Sequence, residues 1–217
     1  MSQVLHHAHD PDPAETGSAD TDTDTDTDTD ADVISESASA PDRFAVIFDR
    51  HAPAVHRYAA RRLGPDAADD LVAETFLTAF QRRTVFDPRY ATARPWLFGI
   101  ATHLIARRHR DETRFYRAIA RTGIDPAAES VDDQATDRVA AQASRKGLAA
   151  ALAALNAGER NVLLLSASGF GYTEIAEALA VPVGTVSSRL ARARKKVRTA
   201  LGGVNPIDPE PEGDAGR

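Results

Sequence analysis

From residue 42 onward, apolar residues recur at spacings of three and four, and no stretch alternates convincingly at period two. That pattern predicts helices only. Phe44, Ile47, Phe48, Val55, Tyr58, Ala59 and Leu63 trace a first stripe, which Pro53 is expected to kink or split. Gly64-Pro65 ends that helix and opens another, whose inner face is Ala68, Leu71, Val72, Phe76, Ala79 and Phe80. Residues 84–93, with Asp87-Pro88-Arg89-Tyr90, read as a loop. A third helix starts at Arg94-Pro95-Trp96 and buries Leu97, Ile100, Ala101, Leu104 and Ile105, then turns basic through Arg107, Arg108, His109 and Arg110. Residues 115–145 are mixed and read as a linker with some helical content. An Ala- and Leu-rich helix follows at 146–155, and Asn156 with Glu159 has the spacing of a capping box for a helix bearing Val162, Leu163 and Leu165.

Residues 171–198, GYTEIAEALAVPVGTVSSRLARARKKVR, read as a helix-turn-helix. Ile175, Ala176 and Leu179 make the apolar stripe of its first helix, and Val181-Pro182-Val183-Gly184 breaks the pattern. In the second helix Val186, Leu190, Ala193, Val197 and Leu201 face inward, while Ser187, Ser188, Arg189, Arg192, Lys195 and Lys196 face out. Hydroxyls and guanidiniums on one exposed face suit base edges and phosphates in a major groove.

Charge divides the chain. Residues 1–43 hold 12 acidic groups and one basic group, including five Thr-Asp dipeptides at 21–30, whereas the remainder holds 20 acidic and 25 basic groups. The acidity is a property of the tail, and the folded part is mildly basic, as a nucleic-acid binder requires. The tail has too few apolar residues to offset its ordering entropy, so it is expected to be disordered. The expected organisation is all-α: a disordered acidic tail (1–41), a helical domain (42–114), a flexible linker (115–145), a helix-turn-helix domain (146–201) and a polar tail (202–217).

The 217 residues contain no Cys, no apolar run long enough to span a membrane and no signal-peptide core, which fits a soluble cytoplasmic protein. Twenty-three of the 26 basic residues are Arg, which together with abundant Ala suits a high-GC genome. No catalytic set, phosphate-cradling Gly loop or calcium loop is recognisable, so no enzyme activity and no cofactor are expected. His6, His7 and His9 cluster in the tail, where preorganised geometry for a metal is lacking.

Two stretches resemble a known family. LAALNAGERNVLLLSASGFGYTEIAEALAVPVGTVSSRLARARKKVRTAL is similar to region 4 of bacterial extracytoplasmic-function (group 4) sigma factors. DDLVAETFLTAF and RPWLFGIATHLIARRHR are similar to region 2 of the same family, and the pairing is far more specific than a helix-turn-helix alone. The resemblance implies a promoter-specificity subunit. Its partners would be core RNA polymerase, through the clamp helices and the flap, promoter DNA, and an anti-sigma factor.

On that resemblance Asp70, Leu71, Glu74 and Phe76 fall on the helix that docks on polymerase, although Leu71 and Phe76 fit a buried core equally well. Trp96, His103, Arg107, Arg108 and Arg110 fall on the helix that meets the −10 element and holds melted bases, with residues 84–93 as the pocket wall. Trp96 fits a structural anchor equally well. The family more often has Asn at position 103 and Asp at position 107. Thr185, Ser187, Ser188, Arg189 and Arg192 are placed to read bases of the −35 element, with Lys195 and Lys196 nearer phosphates. Ala180 occupies the turn where such motifs often carry Gly. The acidic stretch 125–137 is expected to mimic nucleic acid in the polymerase channel, and the Thr-Asp tail to compete with DNA for basic faces. A free-standing operator-binding regulator is the competing reading; it would footprint DNA without polymerase.

Overall fold

The folded chain begins well before residue 42. The computed structural model describes residues 28–127 and 135–202, and its first helix, α1 (Asp30–Glu36), lies within the predicted disordered tail. The Asp32 N–H donates to Thr29 Oγ1 at 3.2 Å and the Thr29 N–H donates to Asp32 Oδ2 at 3.1 Å, which satisfies two amides a helix cannot pair internally. Val33 and Ile34 then bury to 0% and 3% exposure. Each such burial stabilises by roughly 1.5–3 kcal/mol, so two apolar residues can dock a short helix despite its acidic surroundings.

Helix α2 (Ala45–Leu63) runs through Pro53 without the predicted split. Asp49 and Pro53 both face solvent, so water can satisfy the carbonyl that the missing N–H leaves free. Gly64, at φ 91°, turns the chain directly into α3 (Pro65–Gln81), and the Phe115 ring packs against it where a side chain would crowd. Helix α4 (Arg94–Arg107) begins with Pro95 in its first turn, as predicted. After a break at Arg108, α5 (His109–Thr122) takes up residues assigned by sequence to the linker, and α6 (Ala135–Ala154) takes up more of them. The connection between the two is therefore only residues 123–134. Helices α7 (Ala157–Ala167), α8 (Tyr172–Leu179) and α9 (Val183–Ala200) complete the second half. The predicted capping box is present, with Asn156 Oδ1 accepting from the Glu159 N–H at 2.9 Å. Among the described residues there are nine α-helices and no strand.

Both helical domains are present, and they pack on each other. One apolar cluster runs through the two halves. Phe98 of α4 meets Phe170, ahead of α8, with ring centroids 4.8 Å apart. The Arg94 guanidinium lies over that same Phe170 ring at 4.0 Å and donates to the Ser168 carbonyl at 2.6 Å. Deeper in the seam, Glu112 of α5 accepts from Arg62 of α2 at 2.6 Å and from Arg160 of α7 at 2.9 Å, all three side chains being 1% exposed. Arg62 also donates to Asn161 at 2.7 Å. Two guanidiniums flank one carboxylate, and each charge is buried only because the others are there.

Candidate nucleic-acid interface

The turn between α8 and α9 keeps its geometry without glycine. Ala180 adopts φ 51°, ψ 47°, the only positive φ at a non-Gly position among the described residues. An L-residue there costs roughly 1–2 kcal/mol. Val186, Leu190, Ala193 and Val197 anchor α9 as its stripe predicts. Ser187, Ser188, Arg192 and Lys195 are exposed, Thr185 is half-buried, and Ser188 Oγ donates back to the Thr185 carbonyl at 3.1 Å. The α9 amino terminus carries no acidic residue in its first turn, so its positive dipole end stays open to phosphate.

Two predicted DNA contacts are engaged elsewhere in this conformation. Arg189 is half-buried, leaning over Gly158 and lining a recess of about 120 Å³ with His103 and Asn161. Lys196 donates to the Glu159 carboxylate at 2.7 Å and 3.0 Å. Burial would raise the Glu159 carboxyl, but the Lys196 contact and the Asn156 N–H outweigh it and lower the group below its ordinary value.

In the first half, residues 84–93 and α4 enclose a cavity of about 230 Å³. Phe86, Tyr90 and Trp96 supply its aromatic walls, Thr92 and Asp87 its polar groups, and Glu177 of α8 closes one side. Trp96 also packs on Phe86 at 5.2 Å, so it anchors the loop and faces the cavity at once. Arg89 forks onto Asp87 with both oxygens at 3.0 Å, which holds that half-buried carboxyl down at about 2. Tyr90, 42% exposed, belongs to the loop expected to form the pocket wall, although no periodicity singles out an aromatic within a polar loop.

The other residues predicted for the −10 element do not gather at this cavity. His103 donates through Nδ1 to the Gly99 carbonyl at 3.0 Å, and Arg107 is exposed near the helix end. Arg110 lies on α5, beyond the break at Arg108, and does not line the cavity. Arg108 pairs with Glu74 of α3 at 2.9 Å, so a predicted DNA contact and a predicted polymerase contact bind each other.

The predicted polymerase face needs correcting. Leu71 is 0% and Phe76 5% exposed, so both belong to the core, where helical spacing also allowed them. Asp70 is exposed and Glu74 half-buried. Leu77, 57% exposed and two turns beyond Asp70, extends that outer face and was missed because a leucine on a helix reads as interior.

The chain has counterparts among known proteins. The family model described as Sigma-70 region 2 matches residues 47–115, and that described as Sigma-70, region 4 matches residues 145–197. The chain is 36% identical over 157 residues to the ECF RNA polymerase sigma factor SigL of Mycobacterium tuberculosis, covering 71% of this chain and 86% of SigL. It is 31% identical to the RNA polymerase sigma factor CarQ of Myxococcus xanthus, covering 75% and 91%. Among solved structures, CnrH in complex with the cytosolic domain of CnrY aligns at a TM-score of 0.54 and 26% identity, over 80% of this chain and 97% of that one. RpoE of Bartonella quintana, solved with the anti-sigma factor NepR, aligns at 0.52 and 25%, over 73% and 96%.

An all-helical pair of domains, the second with a basic recognition helix, is the build of a promoter-recognition subunit. The chain belongs to the extracytoplasmic-function sigma factors. It directs RNA polymerase to promoters and the start of transcription. Among the described residues, no helix is long and apolar enough to cross a membrane and no cluster of potential ligands could hold a metal. The tail histidines, residues 1–27 of the acidic tail and residues 128–134 lie outside the described residues.

Proposed function

We propose that α9 reads the −35 element while the cavity beside α4 takes an unstacked base of the −10 element. The observation that carries this is the aromatic cavity of Phe86, Tyr90 and Trp96, since flipped bases are held by stacking and edge hydrogen bonds. Thr185, Ser187, Ser188, Arg189 and Arg192 reach base edges; Lys195, and Lys196 once free of Glu159, reach phosphates. His103, Arg107 and Arg110 track the backbone near the −10 element, and Arg108 does so on release from Glu74. Polymerase docks on the outer face of α3 at Asp70, Glu74 and Leu77. The protein works in the cytoplasm and leaves all bond-making to polymerase.

This division of labour demands an opening. The two elements lie about 25 base pairs apart, roughly 85 Å of duplex. A folded chain of this size has a radius of gyration of only about 17 Å. Residues 123–134 reach about 40 Å when extended, so the halves part at the α4–α8 seam. Parting also withdraws Glu177 from the base cavity. An anti-sigma partner, of the kind solved with RpoE, would hold the halves together.

Single-round transcription with core polymerase, on promoters substituted base by base, tests the assignment. Arg189→Ala should relax preference at −35 alone and Tyr90→Ala at −10 alone. If either variant changes the other element's profile instead, the assignment is wrong.

A further inference from the structure

The wall of this cavity is held from α1, more than fifty residues earlier in the chain. Asp30, the first residue of α1, buries its side chain to 7% exposure between α2 and the residues entering α4. Its Oδ2 accepts from the Ala93 N–H at 2.8 Å, from Thr92 Oγ1 at 3.1 Å and from His51 Nε2 at 2.7 Å. Its Oδ1 accepts from an Arg50 guanidinium nitrogen at 3.0 Å, and its own N–H donates to the Ala91 carbonyl at 3.2 Å. Three consecutive loop residues are thereby fixed to one carboxylate and its backbone. Other hydrogen bonds of residues 86–93 among the described residues stay within the loop, reach back to the Arg83 carbonyl or reach into α4.

We propose that Asp30 is a positioning residue for base selection at the −10 element, setting the cavity wall through Thr92 and Ala93. The proposal rests on the reading of that cavity as the −10 base pocket. Packing alone does not call for a carboxylate here, because an apolar side chain would fill the same space without the cost of burying charge. What the carboxylate adds is direction. Charge-assisted bonds from two successive loop residues and two α2 side chains fix Thr92, which lines the cavity, relative to Trp96 across it. Recognition depends on positioning to about 0.5 Å, and a loop without such a tie is too loose to discriminate.

The placement also divides the acidic tail into two parts. Asp30 is the last Asp of the Thr-Asp repeat at residues 21–30 and looks by sequence like any other copy. Val33 and Ile34, buried three and four residues later, set the register that selects it. The contacts run through Asp30 and the helix it opens, so removal of α1 abolishes the device.

The test uses full-length protein with core polymerase and a promoter library randomised at both elements. Asp30→Ala is expected to flatten base preference at −10 by about tenfold, equivalent to losing about one hydrogen bond to a charged group, and to leave the −35 profile intact. Asp30→Asn keeps an acceptor oxygen and should flatten it less. Deletion of residues 1–27 should change neither profile. Suppose Asp30→Ala lowers thermal stability and output equally on every promoter, with the −10 profile unchanged, while Tyr90→Ala alters it. Asp30 is then a structural residue only and the proposal is overturned. If Tyr90→Ala also leaves the profile unchanged, the cavity reading itself fails and takes the proposal with it.

Discussion

A β-carbon on Gly99 would lie 2.5 Å from the carbonyl oxygen of Ala178, so α4 and α8 meet backbone against backbone. Gly99→Ala should therefore open the seam. Within α4 itself alanine is favoured by about 1 kcal/mol, so the helix is not the casualty. The expected result is a larger radius of gyration by small-angle scattering and tighter promoter binding without polymerase. An unchanged scattering curve would contradict the opening argument.

Glu112 is the keystone of the second contact between the halves. Glu112→Ala leaves Arg62 and Arg160 buried face to face, and removing one partner of such a group costs about 3–5 kcal/mol. Replacing all three by apolar residues of similar size should recover most of that loss. Urea denaturation of the single and triple variants measures both.

Ala180→Gly is predicted to stabilise the protein. Relief of the left-handed conformation, roughly 1–2 kcal/mol, outweighs the extra unfolded-state freedom of glycine, roughly 0.4–1 kcal/mol. The midpoint of thermal unfolding should rise, with no change in promoter preference.

Acid should release the strap at Asp30. Burial alone would raise this carboxyl, but the His51 hydrogen bond, then the Ala93 N–H and Arg50, outweigh burial and hold it well below the usual carboxylate range. A depressed folded pKa means stability that is fully present above the unfolded value of about 3.9 and fades as the pH falls below it. Wild-type protein should lose stability steeply below about pH 4. Asp30→Asn should be weaker at neutral pH and lose less on acidification. Denaturant midpoints across pH give the comparison.

How far the sequence reveals all this depends on the range of each signal. Helices α2, α3, α4 and α7 to α9 announce themselves through apolar stripes, Gly64-Pro65 and the Asn156–Glu159 cap, because those signals act within a turn or two. The face of α9 is legible for the same reason. Helix α1 is hidden because Val33 and Ile34 are too few to outweigh the acids around them. Helix α5 is hidden because its buried Glu112 looks like a surface residue until Arg62 and Arg160 arrive from 50 and 48 residues away. The same range limit explains Leu71, Phe76 and Leu77: helical spacing puts all three on α3, and only its packing partners decide which side is inside. The closed seam has no local signature at all.

The most direct test of the central claim is run-off transcription with purified core polymerase, with and without this protein, on genomic DNA. The account predicts new start sites, each downstream of a paired −35 and −10 element, and lost together when α9 is deleted. Unchanged initiation, or promoter footprints as strong without polymerase as with it, would contradict it.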